Sequence, residues 1–485
     1  MSQPSVDQQP AALPDDVPTL QAMVQELRAL VREQQLLLTA LQAQVQELTE
    51  RQNRNSANSS KPPSSDPPWR QRPRKAPTGK KRGGQRGHPG HYRRLAPPSA
   101  VDYVMVCTPD TCAHCGAHFL ESSSRRRKFR RFQVVELPPI RPEITEYQVE
   151  ARRCRGCGRR TWGTLPQGAN RCVGPRVQAV VAVLSGACRL PRRQTQALLA
   201  DLFGVQLSLG TLCTLEADTA QALAAPYAEL ASEVPRVSVL GVDETSWKEA
   251  GTLHWIWTAV TKQFAYFHVD RHRSRAVLQA LLPETAGTGP VVISDRYRAY
   301  GHLPSERRSL CWAHLARDFR AAEERGGIDA VVGRWVLEVF GKVLAPWHRY
   351  RAGELTPQAF QAEIRARQQE LQAPLHWGAE HGSRKTRVLC DALLEQWTSL
   401  WTWLEVENGE PTNNAAERAL RPAVLWRKSS FGHQSETGEQ FVERMLTAVT
   451  TLRLQGRNVW QYLVETCVAA RQGTSAPSLL PQASG

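Results

Sequence analysis

Three acidic residues, far apart in the chain, have the types and settings of a divalent-metal site. Asp243 and Asp295 each end a short apolar run that is typical of a strand buried on both faces of a sheet. Glu417 lies in a segment that predicts an Asn-capped helix stopped at Pro422. Together the three carboxylates could hold two Mg²⁺ ions, which would activate one oxygen and stabilise another in a displacement at phosphorus.

Other acidic residues compete with these three. Glu244 follows Asp243 directly, and adjacent strand residues face opposite sides, so only one of the two can face the metals. Three acids further along the chain compete with Glu417, namely Glu436, Glu439 and Glu443. A strand-end aspartate is often a turn residue, and Glu417 could simply pair with Arg421 one helical turn later.

The segments around the acids predict a particular order of elements. After the strand that leads to Asp243, the pattern predicts two strands, a helix, the Asp295 strand, a short strand and a helix, at residues 253–260, 264–269, 274–282, 291–294, 307–311 and 313–324. Three strands, helix, strand, strand and helix is the order of a ribonuclease-H-like core. The following helical residues then form an insertion before the helix of Glu417.

Length and composition limit the class of protein and the number of domains. The chain has 485 residues, more than a single core of about 250–300 residues holds, so we expect several domains. No apolar run approaches the ~18 residues of a membrane span, and the start lacks the layout of a signal peptide. We therefore expect a cytoplasmic, nucleoid-associated protein. The net charge of +16 points to nucleic acid as a partner.

A heptad repeat opens the chain. One seam position holds Val17, Val24, Val31, Leu38 and Val45, and the other holds Leu20, Leu27, Gln34, Leu41 and Leu48. β-Branched residues at the first position with leucine at the second favour a parallel two-stranded coiled coil, which predicts a homodimer or larger assembly. The alternative is an amphipathic helix packed on its own protein.

A basic segment follows the heptads. Residues 69–94 carry ten lysines or arginines and no acid, interspersed with glycines, and the run 125–131 adds six more basic residues. These features predict a flexible arm that binds DNA phosphates through Arg70, Arg72, Arg74, Lys75, Lys80, Lys81, Arg82 and Arg86. The alternative is a solvated tail without a partner.

Two CxxC pairs, each followed by glycine, come next. In a chain without an export signal, this spacing favours zinc over disulfides. We predict a structural zinc ribbon with one zinc ion held by Cys112, Cys115, Cys154 and Cys157. Cys107 and His114 are possible substitute ligands, and segments 132–137 and 144–149 are predicted strands.

The helical region that follows contains a helix-turn-helix pattern. A helix is predicted to end at Gly204, and a second to begin after Ser208 as its N-cap. This is a layout that binds duplex DNA, and Arg192 and Arg193 would lie near its backbone.

Two smaller groups lie near the predicted acids. Cys311 and His314 form a CxxH motif for which we favour a packing and hydrogen-bonding role beside the active site. A basic cluster around Glu417 is predicted to contact substrate phosphates, namely Arg418, Arg421, Arg427 and Lys428.

Together these features predict a multidomain α+β protein. Its parts are a disordered tail at 1–16, a coiled coil at 17–52, a basic arm at 53–98, a zinc-ribbon domain at 99–172, a helix-turn-helix domain at 173–232, an α/β ribonuclease-H-like catalytic core at 233–325 and 406–472, a helical insertion at 326–405, and a disordered tail at 473–485.

The chain resembles the transposases of the insertion sequence 66 family, which are of the DDE type. Its most specific matching stretches are residues 242–245, 311–314 and 413–422, and residues 83–91 and 427–429 also fit. The resemblance implies that Asp243, Asp295 and Glu417 are the metal-binding triad, with Arg296 where many members have glycine. It also implies a zinc-binding module ahead of the catalytic part.

The predicted reaction has two phosphoryl-transfer steps at one Mg²⁺-dependent site. Water first cleaves the element end to leave a 3′ hydroxyl, which then attacks a phosphodiester of the target DNA. Accessory proteins encoded by the same element are a further expectation from the resemblance. Two alternatives are a DNA-binding regulator with a silent catalytic fold and a structure-specific nuclease that uses the same metals.

Overall fold

The computed structural model describes residues 16–55, 59–61, 95–119, 130–283 and 289–481. The basic-arm residues predicted to bind DNA, Arg70 to Arg86, lie outside these residues, as do most of the basic run 125–131 and the predicted tail before residue 16. Contacts divide the chain into two compact units. The second holds Gln71–Cys172 and Leu190–Leu215, and the first holds the remainder.

Among the described residues before the sheet, the chain forms five α-helices and two strands. They are α1 (Val17–Asn53), β1 (Ala151–Arg153), β2 (Arg160–Trp162), α2 (Pro175–Ala182), α3 (Arg192–Phe203), α4 (Leu209–Ala222) and α5 (Ala224–Glu233). α1 is one continuous helix of 37 residues, about 55 Å long at 1.5 Å per residue. The apolar side chains of its predicted seam are exposed, apart from the half-buried Leu20.

The zinc-module region has little regular structure. β1 and β2 pair antiparallel, with Ala151 opposite Trp162. The prediction of strands at 132–137 and 144–149 is wrong, although both segments lie within the described residues. Their apolar side chains, such as Val134 at 92% exposure and Ile144 at 90%, have no surface to pack on. β-Propensity alone does not make a strand without partner strands and burial.

The predicted helix-turn-helix boundaries are those observed. α3 ends at Gly204, which adopts the left-handed conformation with φ of 65°. Ser208 Oγ accepts a hydrogen bond from the Thr211 amide at 3.1 Å, as an N-cap of α4 does. The single helical domain predicted over 173–232 is divided, however, because contacts assign residues 190–215 to the second unit and the flanking residues to the first.

A five-stranded mixed sheet forms the centre of the first unit. Its elements in chain order are β3 (Val239–Glu249), β4 (Thr252–Val260), β5 (Ala265–Asp270), α6 (Arg275–Leu281), β6 (Val291–Ser294), β7 (Arg308–Leu310) and α7 (Trp312–Glu323). The strands lie in the order β5-β4-β3-β6-β7. β3, β4 and β5 pair antiparallel, whereas β3–β6 and β6–β7 pair parallel. The element order is the one expected.

Asp243 lies within its strand, so the prediction that it ends the strand is wrong. β3 continues to Glu249 because β4 pairs with it over the whole distance, from Gly241–Val260 to Glu249–Thr252. The tight turn between them uses Ala250 and Gly251, both with positive φ. Asp295, by contrast, directly follows β6.

A helical segment follows α7, close to the predicted bounds of the insertion. It contains α8 (Gly327–Arg351), α9 (Pro357–His381), α10 (Arg384–Glu395) and α11 (Trp397–Trp401). With α7 it forms a separate hydrophobic cluster that includes Trp312, Phe340 and Trp403. The segment therefore has a core of its own.

Three helices complete the first unit: α12 (Asn414–Ser430), α13 (Glu436–Leu454) and α14 (Val459–Gln472). The prediction that the Glu417 helix stops at Pro422 is wrong. α12 continues through Pro422 because its later residues Ala423 and Trp426 are buried in the main core. That burial outweighs the lost backbone hydrogen bond of an internal proline.

The prediction of a disordered tail from residue 473 is wrong up to residue 481. Leu479 is 1% exposed and belongs to the main core. Gln455 Nε2 donates to Leu479 O at 2.8 Å, and the Tyr462 hydroxyl donates to Pro477 O at 2.7 Å. Apolar burial at Leu479 and these bonds hold a segment whose composition alone suggested disorder. None of the described helices has a stretch apolar and long enough to cross a bilayer.

Candidate active site

Asp243 is set in the central strand of the sheet. Burial, together with the neighbouring charges of Glu244, Asp295 and Glu417, raises the pKa of its carboxyl to about 8. A poorly solvated site screens charges weakly, so neighbouring carboxylates act strongly on one another there. The three acids singled out in the sequence therefore lie in one electrostatic neighbourhood.

Asp295 is held by the loop that follows β6. Its Oδ1 accepts a hydrogen bond from the Tyr297 amide at 2.8 Å, which fixes the carboxylate against the turn. Arg296 is not among the described residues with positive φ, so no left-handed residue is needed here. The Arg296 guanidinium instead lies 3.1 Å from Asp318 of α7.

Glu417 reaches the site because α12 is tied to β3. Asn413 Nδ2 donates to Val242 O at 2.7 Å, next to Asp243. Gly241 permits this approach, since a Cβ there would lie 2.7 Å from Asn413 Oδ1. The predicted Asn cap is thus corrected: Asn413 occupies the N-cap position, but its side chain bonds the strand rather than the helix.

The competing acids have other partners. The two oxygens of Glu244 accept hydrogen bonds, one from Arg273 at 2.6–2.8 Å and the other from the Tyr300 hydroxyl at 2.6 Å. Glu443 accepts from the Val269 amide of β5 at 3.2 Å. Sequence reasoning missed Arg273 and Tyr300, because nothing in their local sequence indicates a long-range partner.

The CxxH motif lies beside Glu417. Cys311 is 1% exposed, and its Sγ accepts the Asn413 amide at 3.1 Å. Burial raises the pKa of the Cys311 thiol. His314 Nδ1 lies 3.6 Å from Glu417 Oε1, and burial together with Arg317 lowers the pKa of His314. The expected position beside the acids is the one observed.

Two groups of potential metal ligands stand out among the described residues. The donor atoms of Cys311, His314 and Glu417 lie within 4.8 Å of one another, as do those of Glu249, His433 and Glu439. In the second group His433 Nδ1 accepts the Trp247 indole N–H at 2.6 Å. In neutral His433 the proton is therefore on Nε2. This nitrogen is a hydrogen-bond donor and not a metal ligand.

The residues around Glu417 fit a divalent cation. Glu417 Oε1 and His314 Nδ1 are both buried without a hydrogen-bond partner in the described part of the chain. Burial and neighbouring acids raise the pKa of Asp243, and a bound cation would stabilise its carboxylate. The carboxylate oxygens of the three acids are not all within 4.8 Å of one another. A pair of ions about 3.5–4 Å apart would take its ligands from a wider area than a single ion does.

The four cysteines of the zinc module lie in two knuckle turns. The amides of Gly116 and Gly158 donate to the carbonyls of Cys112 and Cys154, each at 2.9 Å. Amides within the turns, led by those of His114 and Cys157, lower the pKa of Cys112 and Cys154, which favours thiolates. No three of the four sulfurs lie within 4.8 Å of one another.

The predicted phosphate-binding residues lie in different settings in the structure. Arg418, Arg421 and Lys428 are exposed on α12 at intervals that place them on one side of the helix. Arg427 instead binds β3, through Thr245 Oγ1 at 3.2 Å and through Ser246, so its guanidinium is used inside the protein. Arg192 and Arg193, in the second unit, are exposed at the start of α3.

Comparisons with known proteins identify the family of the chain. Residues 171–440 match the family described as Transposase IS66 family, residues 109–158 match the zinc-finger binding domain of transposase IS66, and residues 15–94 match a family of unknown function. The zinc-finger match contains both CxxC pairs.

Two proteins of Sinorhizobium fredii are similar to the chain. The uncharacterized protein y4hP is 24% identical over 430 residues, which cover 78% of this chain and 74% of that protein. The uncharacterized protein y4qI is 27% identical over 213 residues, 40% of this chain and 38% of that protein. Because the family match covers more than half of the 485 residues and includes all three acids, the chain belongs to the IS66 family of transposases.

Proposed function

We propose that the chain is a DDE-type DNA transposase with a ribonuclease-H-like core. It binds the terminal inverted repeats of a bacterial insertion sequence and catalyses DNA cleavage and strand transfer. The observation that carries the proposal is that Asp295 and Glu417 lie close enough to Asp243 to act on its carboxyl, whose pKa is raised mainly by burial, then by Glu244 and by these two acids. The sheet order β5-β4-β3-β6-β7, with the first three strands antiparallel, supports the core assignment.

Each acid has a defined task in this proposal. Asp243, Asp295 and Glu417 bind two Mg²⁺ ions, which when bound activate the attacking oxygen and stabilise the leaving one. Asn413 keeps α12 against β3, so that Glu417 faces the strand of Asp243. Glu244, Arg273 and Tyr300 form a buried network behind the strand and keep Glu244 out of the metal site.

DNA and a second copy of the chain are the partners in this proposal. The zinc module, with zinc at Cys112, Cys115, Cys154 and Cys157, binds element ends together with the α3–α4 pair and the basic arm. The exposed basic side chains of α12 contact substrate phosphates. The α1 seam joins two chains and so brings two element ends together, with accessory proteins of the element as further partners.

The decisive experiment compares Asp243→Asn and Asp295→Asn with the unaltered protein on labelled element ends and target DNA. We expect either substitution to abolish Mg²⁺-dependent cleavage and joining, because the amide loses the charge that holds a cation. Binding to element ends is expected to remain. Asp391→Asn, an exposed position on α10, is the matched control and is expected to act normally.

The products of the same assay separate the alternatives. Joining of a 3′ end to new DNA is the expected result. Hydrolysis without joining would indicate a nuclease, and binding without any cleavage by the unaltered protein would indicate a regulator. Strand transfer at the normal rate by either Asn variant would refute the triad.

A further inference from the structure

Two buried polar atoms face each other beside the proposed catalytic acids. His314 Nδ1 and Glu417 Oε1 lie 3.6 Å apart, beyond the usual length of an N–H···O hydrogen bond. Neither atom has a hydrogen-bond partner among the described residues. Buried polar atoms are almost always satisfied, so a pair of unsatisfied atoms aimed at one point indicates a missing partner.

We propose that His314 is a nitrogen ligand of the divalent cation that Glu417 holds, which gives this cation a mixed carboxylate and imidazole donor set. The inference rests on the proposed function and deepens it, because the acids alone were assigned to the metals. Donors about 2.1–2.2 Å from an octahedral ion are about 3 Å apart when adjacent and about 4.3 Å apart when opposite. The observed 3.6 Å is about 0.6 Å longer than the adjacent separation, so a small adjustment of the two side chains would bring both donors to one ion.

The position of His314 is fixed by the start of α7. Cys311 is the N-cap residue of α7, and His314 follows within the first turn. The Trp312 amide donates to Pro411 O at 2.8 Å, and the Asn413 amide donates to Cys311 Sγ at 3.1 Å. These two bonds join the beginning of α7 to the beginning of α12, so His314 and Glu417 are presented together.

Cys311 is a positioning residue in this arrangement. Its sulfur is already engaged by the Asn413 amide, and a thiol is a poor ligand for Mg²⁺ or Mn²⁺. The Arg317 guanidinium lies 3.7 Å from Glu417 Oε1. The bound cation replaces this guanidinium beside the oxygen. The Arg317 side chain is 22% exposed and has solvent to move into.

Mn²⁺ is the probe that tests the proposal, because it binds carboxylate and imidazole donors and is paramagnetic. The full-length, zinc-loaded protein without a histidine tag is titrated with Mn²⁺ in the absence of DNA. Pulsed electron paramagnetic resonance then detects ¹⁴N coupled to the bound ion. We expect this coupling in the unaltered protein and its loss in His314→Gln, with Mn²⁺ affinity reduced about tenfold or more.

Controls separate this inference from the proposed function. His381→Gln, at the exposed end of α9, is expected to keep both the coupling and the affinity. Circular dichroism checks that each variant folds. If Asp243→Asn and Glu417→Gln leave Mn²⁺ binding unchanged, the proposed metal site is wrong. If those variants lose Mn²⁺ but the unaltered protein shows no ¹⁴N coupling, or His314→Gln retains it, only the role of His314 is overturned.

Discussion

At the scale of single residues, Asp243 illustrates how a functional group can oppose the stability of its fold. Its half-buried carboxyl lies close to three other acids, and loss of solvation is the largest cause of the raised pKa. A carboxyl in this setting keeps its proton at neutral pH unless a cation compensates its charge. The metal-free protein therefore has a destabilising group at the centre of its sheet.

This gives a prediction about stability against pH. In the unfolded chain the pKa of Asp243 is about 3.9, whereas in the fold it is about 8. Between these values the folded state binds a proton that the unfolded state has lost. The contribution of Asp243 to stability is therefore present below about pH 4 and is lost as pH rises toward 8.

Thermal unfolding without added divalent cations measures the effect. We expect Asp243→Asn to match the unaltered protein near pH 4 and to melt at a higher temperature at pH 8–9. Asp391→Asn, at an exposed site, should follow the unaltered protein at every pH. Parallel curves for Asp243→Asn and the unaltered protein would contradict the assigned environment.

The candidate acids could be predicted from the sequence, but their surroundings could not. Apolar runs and helix signals point to Asp243, Asp295 and Glu417 directly. The alternation of side chains along a strand predicts that Asp243 and Glu244 face opposite sides of the sheet. It does not predict which side faces the proposed metals. The answer depends on Arg273 and Tyr300, which reach Glu244 from 29 and 56 residues away.

At the scale of elements, α13 compensates for the open edge of the sheet. β5 is an edge strand, and its outward backbone amides have no partner strand. Three α13 side chains spaced one turn apart accept these amides, with Glu443 bonding Val269, Thr447 bonding Phe267 and Thr451 bonding Ala265. The helix thereby covers an edge that could otherwise pair with another chain.

Thr447→Val tests this contact. We expect the free energy of unfolding to fall by about 1–3 kcal/mol, because the isosteric change leaves the buried Phe267 amide unpaired. Thr466→Val in α14 is the matched control: Thr466 is equally buried, but its hydroxyl only donates to the Tyr462 carbonyl of its own helix. Denaturant titration compares the two, and equal losses would argue against the edge-covering role.

The positions of helices and strands could be predicted from the sequence wherever burial of apolar side chains determines them. The strands of the sheet and the helices of the insertion appear near the predicted residues, since apolar periodicity reports burial directly. Three failures have physical causes. The length of β3 depends on its hairpin partner, and α12 continues through Pro422 because Trp426 is buried. Segments 132–137 and 144–149 have strand composition without a surface to pack on.

At the scale of the whole molecule, α1 presents an apolar seam to solvent. Leu27 is 58% exposed and Val31 is 48% exposed, although both have the types and spacing of a coiled-coil interface. An isolated helix gains little from such a stripe, and a second copy of α1 would bury it.

We expect the full-length protein to sediment as a dimer or larger assembly. The double substitution Leu27→Lys with Val31→Lys should shift it to the monomer, because two lysines per chain would face each other at the seam. Lysines at Ala29 and Ala43, on the opposite side of the helix, are the matched control and should leave the assembly intact. A monomeric unaltered protein at micromolar concentration would remove the prediction.

The bond between Asn413 and Val242 joins residues 171 positions apart in the chain. It has a consequence for synthesis on the ribosome. A nascent or prematurely terminated polypeptide that ends within the insertion contains Asp243 and Asp295 together with the two CxxC pairs, yet lacks Glu417. If the proposed function is correct, such a fragment keeps the parts that grip an element end but cannot cut it, so nonsense or frameshift copies would compete with the intact enzyme.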